Sequence, residues 1–172
     1  MSEPIIRIED LRHTYMSGTP LAHDSLRGVT LSVFKHRITA IVGSTGSGKS
    51  TLLQHMNGLL RPQRGKVWVA GQNLGDQQTD LRKIRQRVGL VFQRPGDQLF
   101  EQYVGDDVAY GPRMLGMSRP QLRERVQWAM EQAGLDFDQY RDRLTATLSG
   151  GERRRAGLAS VLAMRPHVLL LD

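Results

Sequence analysis

The chain contains no cysteine, which excludes a disulfide framework and any thiolate metal site and fits a reducing compartment. Aromatic residues are scarce at 6% of the sequence. They do not interleave with the basic clusters at Arg82-Lys83-Arg85-Arg87 and Arg153-Arg154-Arg155, so base stacking has little support and no nucleic-acid partner is expected. No stretch approaches the roughly eighteen apolar residues that span a membrane. The first ten residues carry acid and lack a long apolar core, so they are no signal peptide, and a soluble protein is expected. Lysine is also rare, because 20 of the 24 basic residues are arginine and the net charge is +7. That excess suits an anionic membrane face or an acidic partner, but its scatter along the chain reads as charge spread over solvated faces. The five histidines lack metal-ligand spacing and are expected at the surface or at strand edges. There are no repeats or low-complexity tracts, and 172 residues suit one domain with room for a subdomain.

What the chain does have is Gly43-Ser44-Thr45-Gly46-Ser47-Gly48-Lys49-Ser50, followed by Thr51. A glycine, four residues and then Gly-Lys-Ser is the phosphate-loop pattern. Gly43, Gly46 and Gly48 permit positive φ, so successive N–H groups can turn inward around phosphate oxygens. The apolar, β-branched run Arg37 to Val42 before the loop reads as a strand, and Ser50 to Leu60 after it reads as a helix. That places an anion at a helix N-terminus. Lys49 supplies charge for the β- and γ-phosphates, and the Ser50 hydroxyl is placed for Mg²⁺. Ser47 and Thr51 read equally well as cap residues or as phosphate contacts.

Ile5 to Leu11 and Leu26 to Phe34 alternate as strands around the turn chemistry of Ser17-Gly-Thr-Pro20. Lys66 to Ala70 and Val88 to Phe92 are further strands, with a short helix at Asp80 to Arg87. Helical patterns cover Val104 to Leu115 and Pro120 to Ala133. The second carries Leu122, Val126, Ala129, Met130 and Ala133 on one stripe behind a Ser118 cap. Another helix runs from Gly150 to Met164, and the apolar run Val168 to Leu171 suits a central parallel strand. Asp172 then stands at a strand end, where a carboxylate can hold Mg²⁺ through water. In Leu148-Ser149-Gly150-Gly151-Glu152, Ser149 caps a helix whose first amides are uncovered by the two glycines, a second anion site.

These elements, in this order, resemble the ATP-binding cassette (ABC) ATPases over the whole chain. Gly43 to Ser50 matches the Walker A motif, Leu148 to Glu152 the signature motif, and Val168 to Asp172 the Walker B motif. Gln93 falls at the Q-loop glutamine, and Tyr15 where an aromatic residue stacks on adenine. Val91 to Phe100, then Asp106 to Pro112, looks like the ATPases of energy-coupling factor importers, which take up vitamins or transition metal ions. Glu152 stands where many relatives carry Gln.

The resemblance implies an α/β phosphate-loop NTPase core with a mixed, mainly parallel sheet. To this it adds an N-terminal antiparallel β subdomain and an inserted helical subdomain. Residues 1–93 would hold the β subdomain and Walker A core, 94–148 the helical subdomain, and 149–172 the signature helix and Walker B strand. It implies ATP and Mg²⁺ as cofactors, with Ser50, Gln93 and Asp172 at the metal and Ser149, Gly150, Gly151 and Glu152 facing the ATP of a second subunit. That subunit could be identical or merely similar. A membrane-spanning component would be reached through the stretch from Pro95 to Pro112, on the cytoplasmic face of the membrane. The family continues past its Walker B aspartate with a glutamate that polarises the attacking water. The chain as given stops at Asp172, so it is expected to be part of a longer ATPase, to hydrolyse ATP poorly and to be unstable alone. Two other readings are a DNA-repair or chromosome-type cassette ATPase and a nucleotide-binding regulatory subunit without turnover. The transported substrate is not encoded here.

Overall fold

A computed structural model describes residues 3–94 and 98–172, and these divide into two compact units, 1–85 and 86–172.

In the first unit, β1 (Ile6–Tyr15) is the second strand of a four-stranded antiparallel sheet with β2 (His23–Val33), β3 (Arg64–Val69) and β4 (Gln72–Asn73), in the order β2-β1-β3-β4. Val67 and Val69 supply buried positions from β3, as Ile6 and Ile8 do from β1. A register shift then intervenes around Glu9 and Asp10. An inserted residue flips the face that follows. The buried positions accordingly move from Ile6 and Ile8 to Leu11 and His13. Helix α1 (Lys49–Met56) contacts β2 and β3 and buries Leu52, Leu53, His55 and Met56. It is shorter than the sequence pattern suggests, ending at Asn57 and then Gly58, which has φ +74°.

The expected strand over 37–42 does not form. Among the described residues nothing pairs with it, and Ile38 and Val42 are 100% and 93% exposed. Branched apolar residues favour extended backbone, but a strand is completed only by a hydrogen-bonded neighbour.

The second unit begins within the last turn of α2 (Leu81–Arg87), and its first strand, β5 (Val88–Val91), is buried throughout. It pairs in parallel with β6 (Val168–Leu171), from Val88 opposite Val168 to Val91 opposite Leu171. Helices α3 (Val104–Met114), α4 (Arg119–Gln132), α5 (Phe137–Tyr140) and α6 (Gly150–Leu162) enclose a core of Val104, Val108, Val126, Met130, Leu135 and Ala159. The stripe read on α4 is the buried one at Val126, Ala129, Met130 and Ala133, with Leu122 packed partly against it. Ser118 and Gln121 form the capping box that starts this helix. The buried carboxylate of Asp107 on α3 accepts from the Phe100 and Glu101 amides at 3.0 and 3.1 Å and from the Ser160 hydroxyl of α6 at 3.1 Å. Among the described residues, no helix is long and apolar enough to cross a membrane.

Candidate functional site

The phosphate loop is built by backbone conformations that side chains resist. Gly46 and Gly48 have φ +79° and +88°, whereas Gly43 does not enter the positive region anticipated for it. A Cβ at 43 would sit 2.7 Å from the Ser47 hydroxyl oxygen, so the Ser47 side chain would have to turn to admit one. Gly48 is constrained twice, since a Cβ would also stand 2.5 Å from the Ser25 carbonyl oxygen. Gly48 is the N-cap of α1, and no side chain caps the helix there. The start of α1 thus presents a helix N-terminus, the end that favours an anion.

The Lys49 ammonium folds back over the loop. It donates to the carbonyls of Gly43 and Ser44 at 3.0 and 2.8 Å and lies 3.5 Å from the Ser47 hydroxyl. A compact cation is thus held beside helix-start amides, the donor set that suits phosphate oxygens. Ser44, Thr45 and Ser47 sit in the exposed part of the loop, and Ser50 is in the first turn of α1.

Tyr15, predicted from its position in the chain, is brought to this helix. Its hydroxyl lies 3.3 Å from the Thr51 hydroxyl, which also accepts from the Ser25 hydroxyl at 2.8 Å. Thr51 is buried in this network, while Tyr15 remains 39% exposed and offers an aromatic surface beside the loop helix. The Tyr15 ring meets His13 edge to face at 4.5 Å, and His13 meets His55 at 5.0 Å.

These two histidines correct the expectation of surface or strand-edge positions. His13 and His55 are buried, and among the described residues Nδ1 of His13 lacks a hydrogen-bond partner, while His55 has only the Leu60 backbone to offset its burial. Burial lowers the pKa of both; for His55, with the repulsion of His13 added, it falls to about 4. His23, His36 and His167 are exposed as anticipated.

The second unit holds the other predicted residues. Because β5 and β6 run parallel in register, Gln93 and Asp172 follow the same end of the pair, with the Asp172 amide bonded to the Val91 carbonyl at 3.0 Å. The carboxyl ends of adjacent parallel strands are where α/β folds collect ligand groups. Gln93 is exposed there. Pro95, Gly96 and Asp97, in the stretch expected to reach a membrane partner, lie outside the described residues.

Ser149 caps α6 as read from the sequence. Its hydroxyl accepts from the Glu152 amide at 3.3 Å, and the Glu152 carboxylate accepts from the Ser149 amide at 2.7 Å, closing a capping box. Gly150 and Gly151 are exposed, and a Cβ on either would meet nothing within 4 Å. The first turn of this helix is therefore open to a large anion. Glu152 also accepts from the Tyr140 hydroxyl at 2.9 Å and from Arg143 at 3.1 Å. Hydrogen bonds from Ser149, first its backbone and then its side chain, hold the carboxyl at a pKa of about 2, with Tyr140 and the Arg143 charge adding to them. Tyr140 and Arg143 carried no motif signal, and Asp107 stood in the Asp106 to Pro112 stretch without a role of its own. The Tyr140 and Arg143 contacts come from the fold of the short α5 and the turn after it.

A protein-family model described as "ABC transporter" matches residues 26–172. Among curated proteins, the chain is 52% identical over 169 residues to an energy-coupling factor transporter ATP-binding protein, EcfA2, of Symbiobacterium thermophilum. That match takes in 98% of the chain and 58% of the relative, so the chain spans little more than half its length. Among solved structures, cbiO1 of Clostridium perfringens, described as part of the ABC transporter complex cbiONQ, aligns with a TM-score of 0.83 at 34% identity. The alignment covers 99% of the chain and 66% of that structure. The dimeric post-hydrolysis structure of the ATP-binding cassette MJ0796, bound to ADP and Pi, aligns with a TM-score of 0.87 at 28% identity, covering 97% and 73%.

Proposed function

The chain belongs to the ABC transporter family, and from that premise we propose that it is the ATP-binding part of an energy-coupling factor importer, hydrolysing ATP to move a vitamin or metal ion. The observation that carries the reading is the Lys49 ammonium held over the glycine loop at the start of α1. In this account the loop amides from Gly43 to Ser50 wrap the ATP phosphates. Lys49 exchanges its bonds to loop carbonyls for bonds to phosphate oxygens, which are stronger charge-assisted ones. Tyr15 stacks on the adenine, steadied by Thr51.

Ser50, Gln93 and Asp172 supply oxygens of the hard type that Mg²⁺ prefers. When bound, the metal neutralises charge on the phosphates. The residues just beyond a Walker B aspartate would complete the hydrolytic apparatus. Ser149, Gly150 and Gly151 face the ATP held by a second subunit, identical or similar; the similarity to a dimeric ATP-binding cassette supports the pairing. ATP that binds the closed pair more tightly than the open one shifts the equilibrium toward closure. The second unit passes that change to a membrane-spanning component on the cytoplasmic side. The similarity to EcfA2 and to cbiO1 supports this assignment.

The test is uptake by the assembled transporter in sealed vesicles, with labelled vitamins and labelled transition metal ions offered separately. Lys49→Ala should abolish ATP-dependent uptake of whichever class is carried. Uptake that persisted with this variant would sink the proposal.

A further inference from the structure

Glu152 gathers more donors than a helix cap needs. A capping box asks one acceptor bond of the third helical residue. Here the two carboxylate oxygens receive the Ser149 amide at 2.7 Å, the Tyr140 hydroxyl at 2.9 Å and the Arg143 guanidinium at 3.1 Å. Tyr140 stands at the end of α5 and Arg143 in the turn beyond it, so both reach Glu152 from outside its own helix. The Arg143 guanidinium also lies 5.1 Å from the centre of the Tyr140 ring, which makes the two a single unit.

A carboxylate is an unexpected group on the first turn of a helix offered to polyphosphate. Like charges repel, and the repulsion is strongest where water is excluded. A glutamine there would be neutral but has only one acceptor oxygen. Its amide donors would meet either the Ser149 amide or the Tyr140 and Arg143 donors. The residues on this chain answer both problems together. The guanidinium cancels the carboxylate charge, and the surplus donors fix the carboxylate when the Ser149 hydroxyl turns away.

We propose that Arg143 and Tyr140 are positioning residues for the signature end of the ATP site, holding Glu152 neutralised and in place so that Ser149 is released to an incoming phosphate. The inference rests on the reading of Ser149 to Gly151 as the surface that closes on another subunit's ATP. Neither residue touches nucleotide in this scheme. Glu152, 14% exposed in its side chain, and Arg143, 37% exposed, are sheltered enough for the pair to matter.

The experiment is a double-mutant cycle on ATP-driven pairing in the assembled transporter, followed by the ATP concentration that half-saturates ATPase activity. Arg143→Met should raise that concentration about tenfold, the scale of one charge-assisted hydrogen bond. Arg143→Lys should restore most of the loss, because the charge returns without the fork. In a Glu152→Gln background, Arg143→Met should change it less than about threefold, since no carboxylate remains to neutralise. Tyr140→Phe should raise it in the Glu152 background and leave the thermal midpoint within a few degrees. An equal effect of Arg143→Met in both backgrounds, or none in either, would overturn the proposal. Ser149→Arg run in parallel separates the two levels. If it leaves pairing intact, the trans reading itself fails; if it abolishes pairing while Arg143→Met is silent, only this inference does.

Discussion

The buried pair of His13 and His55 gives the fold an acid limit that can be worked out. Both rings are buried and meet each other edge to face, His13 from β1 and His55 from α1, and Leu60 offsets the loss of water around His55 only in part. Burial lowers the His55 pKa from an ordinary 6.5 to about 4. A folded state that binds its proton less readily than the unfolded chain keeps its full stability only above the unfolded pKa. That contribution is then lost as pH falls from 6.5 toward 4. At about 1.4 kcal/mol per pH unit, His55 alone withdraws roughly 3 kcal/mol over that window, a large share of a typical domain's stability. His13 moves in the same direction, and two imidazolium rings 5.0 Å apart would repel each other. Glu152 does not confuse the measurement, because its depressed carboxyl costs stability only between its ordinary 4.5 and about 2. Urea unfolding of the chain from about pH 7 to about pH 4.5 should show the decline. His55→Leu, which keeps the ring site apolar, should flatten it by roughly 2–3 kcal/mol. Parallel curves for the two proteins would refute the reasoning, as would an imidazole signal for His55 titrating near its ordinary value.

Gly48→Ala should destabilise the fold by more than about 2 kcal/mol in urea and abolish ATP binding, since positive φ and the Ser25 carbonyl both oppose a methyl group. Gly46→Ala, strained by φ alone with open space around it, should cost only about 1 kcal/mol in the same assay. Asp107→Ala should cost about 2 kcal/mol, because it removes the buried carboxylate that the Phe100 and Glu101 amides and the Ser160 hydroxyl donate to. Its sign is checked by a lowered denaturation midpoint, with amide exchange quickening at residues 100 and 101.

The two helix-start motifs were legible because their chemistry is local. Glycine spacing, Lys49 and the Ser149 cap state their purpose within a few residues, and α1 and α6 begin where those signals place them. The apolar stripe on α4 was legible for the same reason. The run over 37–42 failed in the opposite way, since strand formation depends on a partner that no local pattern reports. His13 was misjudged because the alternation of Ile6 and Ile8 would turn it outward, and the register shift at Glu9 and Asp10 turns it inward. His55 lies among Leu52, Leu53 and Met56 on a helix buried on several sides, so polarity was a poor guide. Tyr140 and Arg143 became visible only as contacts, as did the buried role of Asp107 within its motif stretch. Their importance lies in partners between 6 and 53 residues away along the chain.

The central claim is that Lys49 and Ser149 serve different subunits' nucleotides. The direct measurement is sedimentation with and without ATP, alone and with a second ATPase subunit, alongside calorimetric titration of nucleotide onto the unpaired protein. The account predicts that Lys49→Ala removes nucleotide binding and pairing together. Ser149→Arg should leave the unpaired protein's affinity within about twofold, since surface changes off the loop cost little, while abolishing ATP-driven pairing. Pairing that survives Ser149→Arg, or an unpaired affinity that falls with it as far as with Lys49→Ala, would contradict the account.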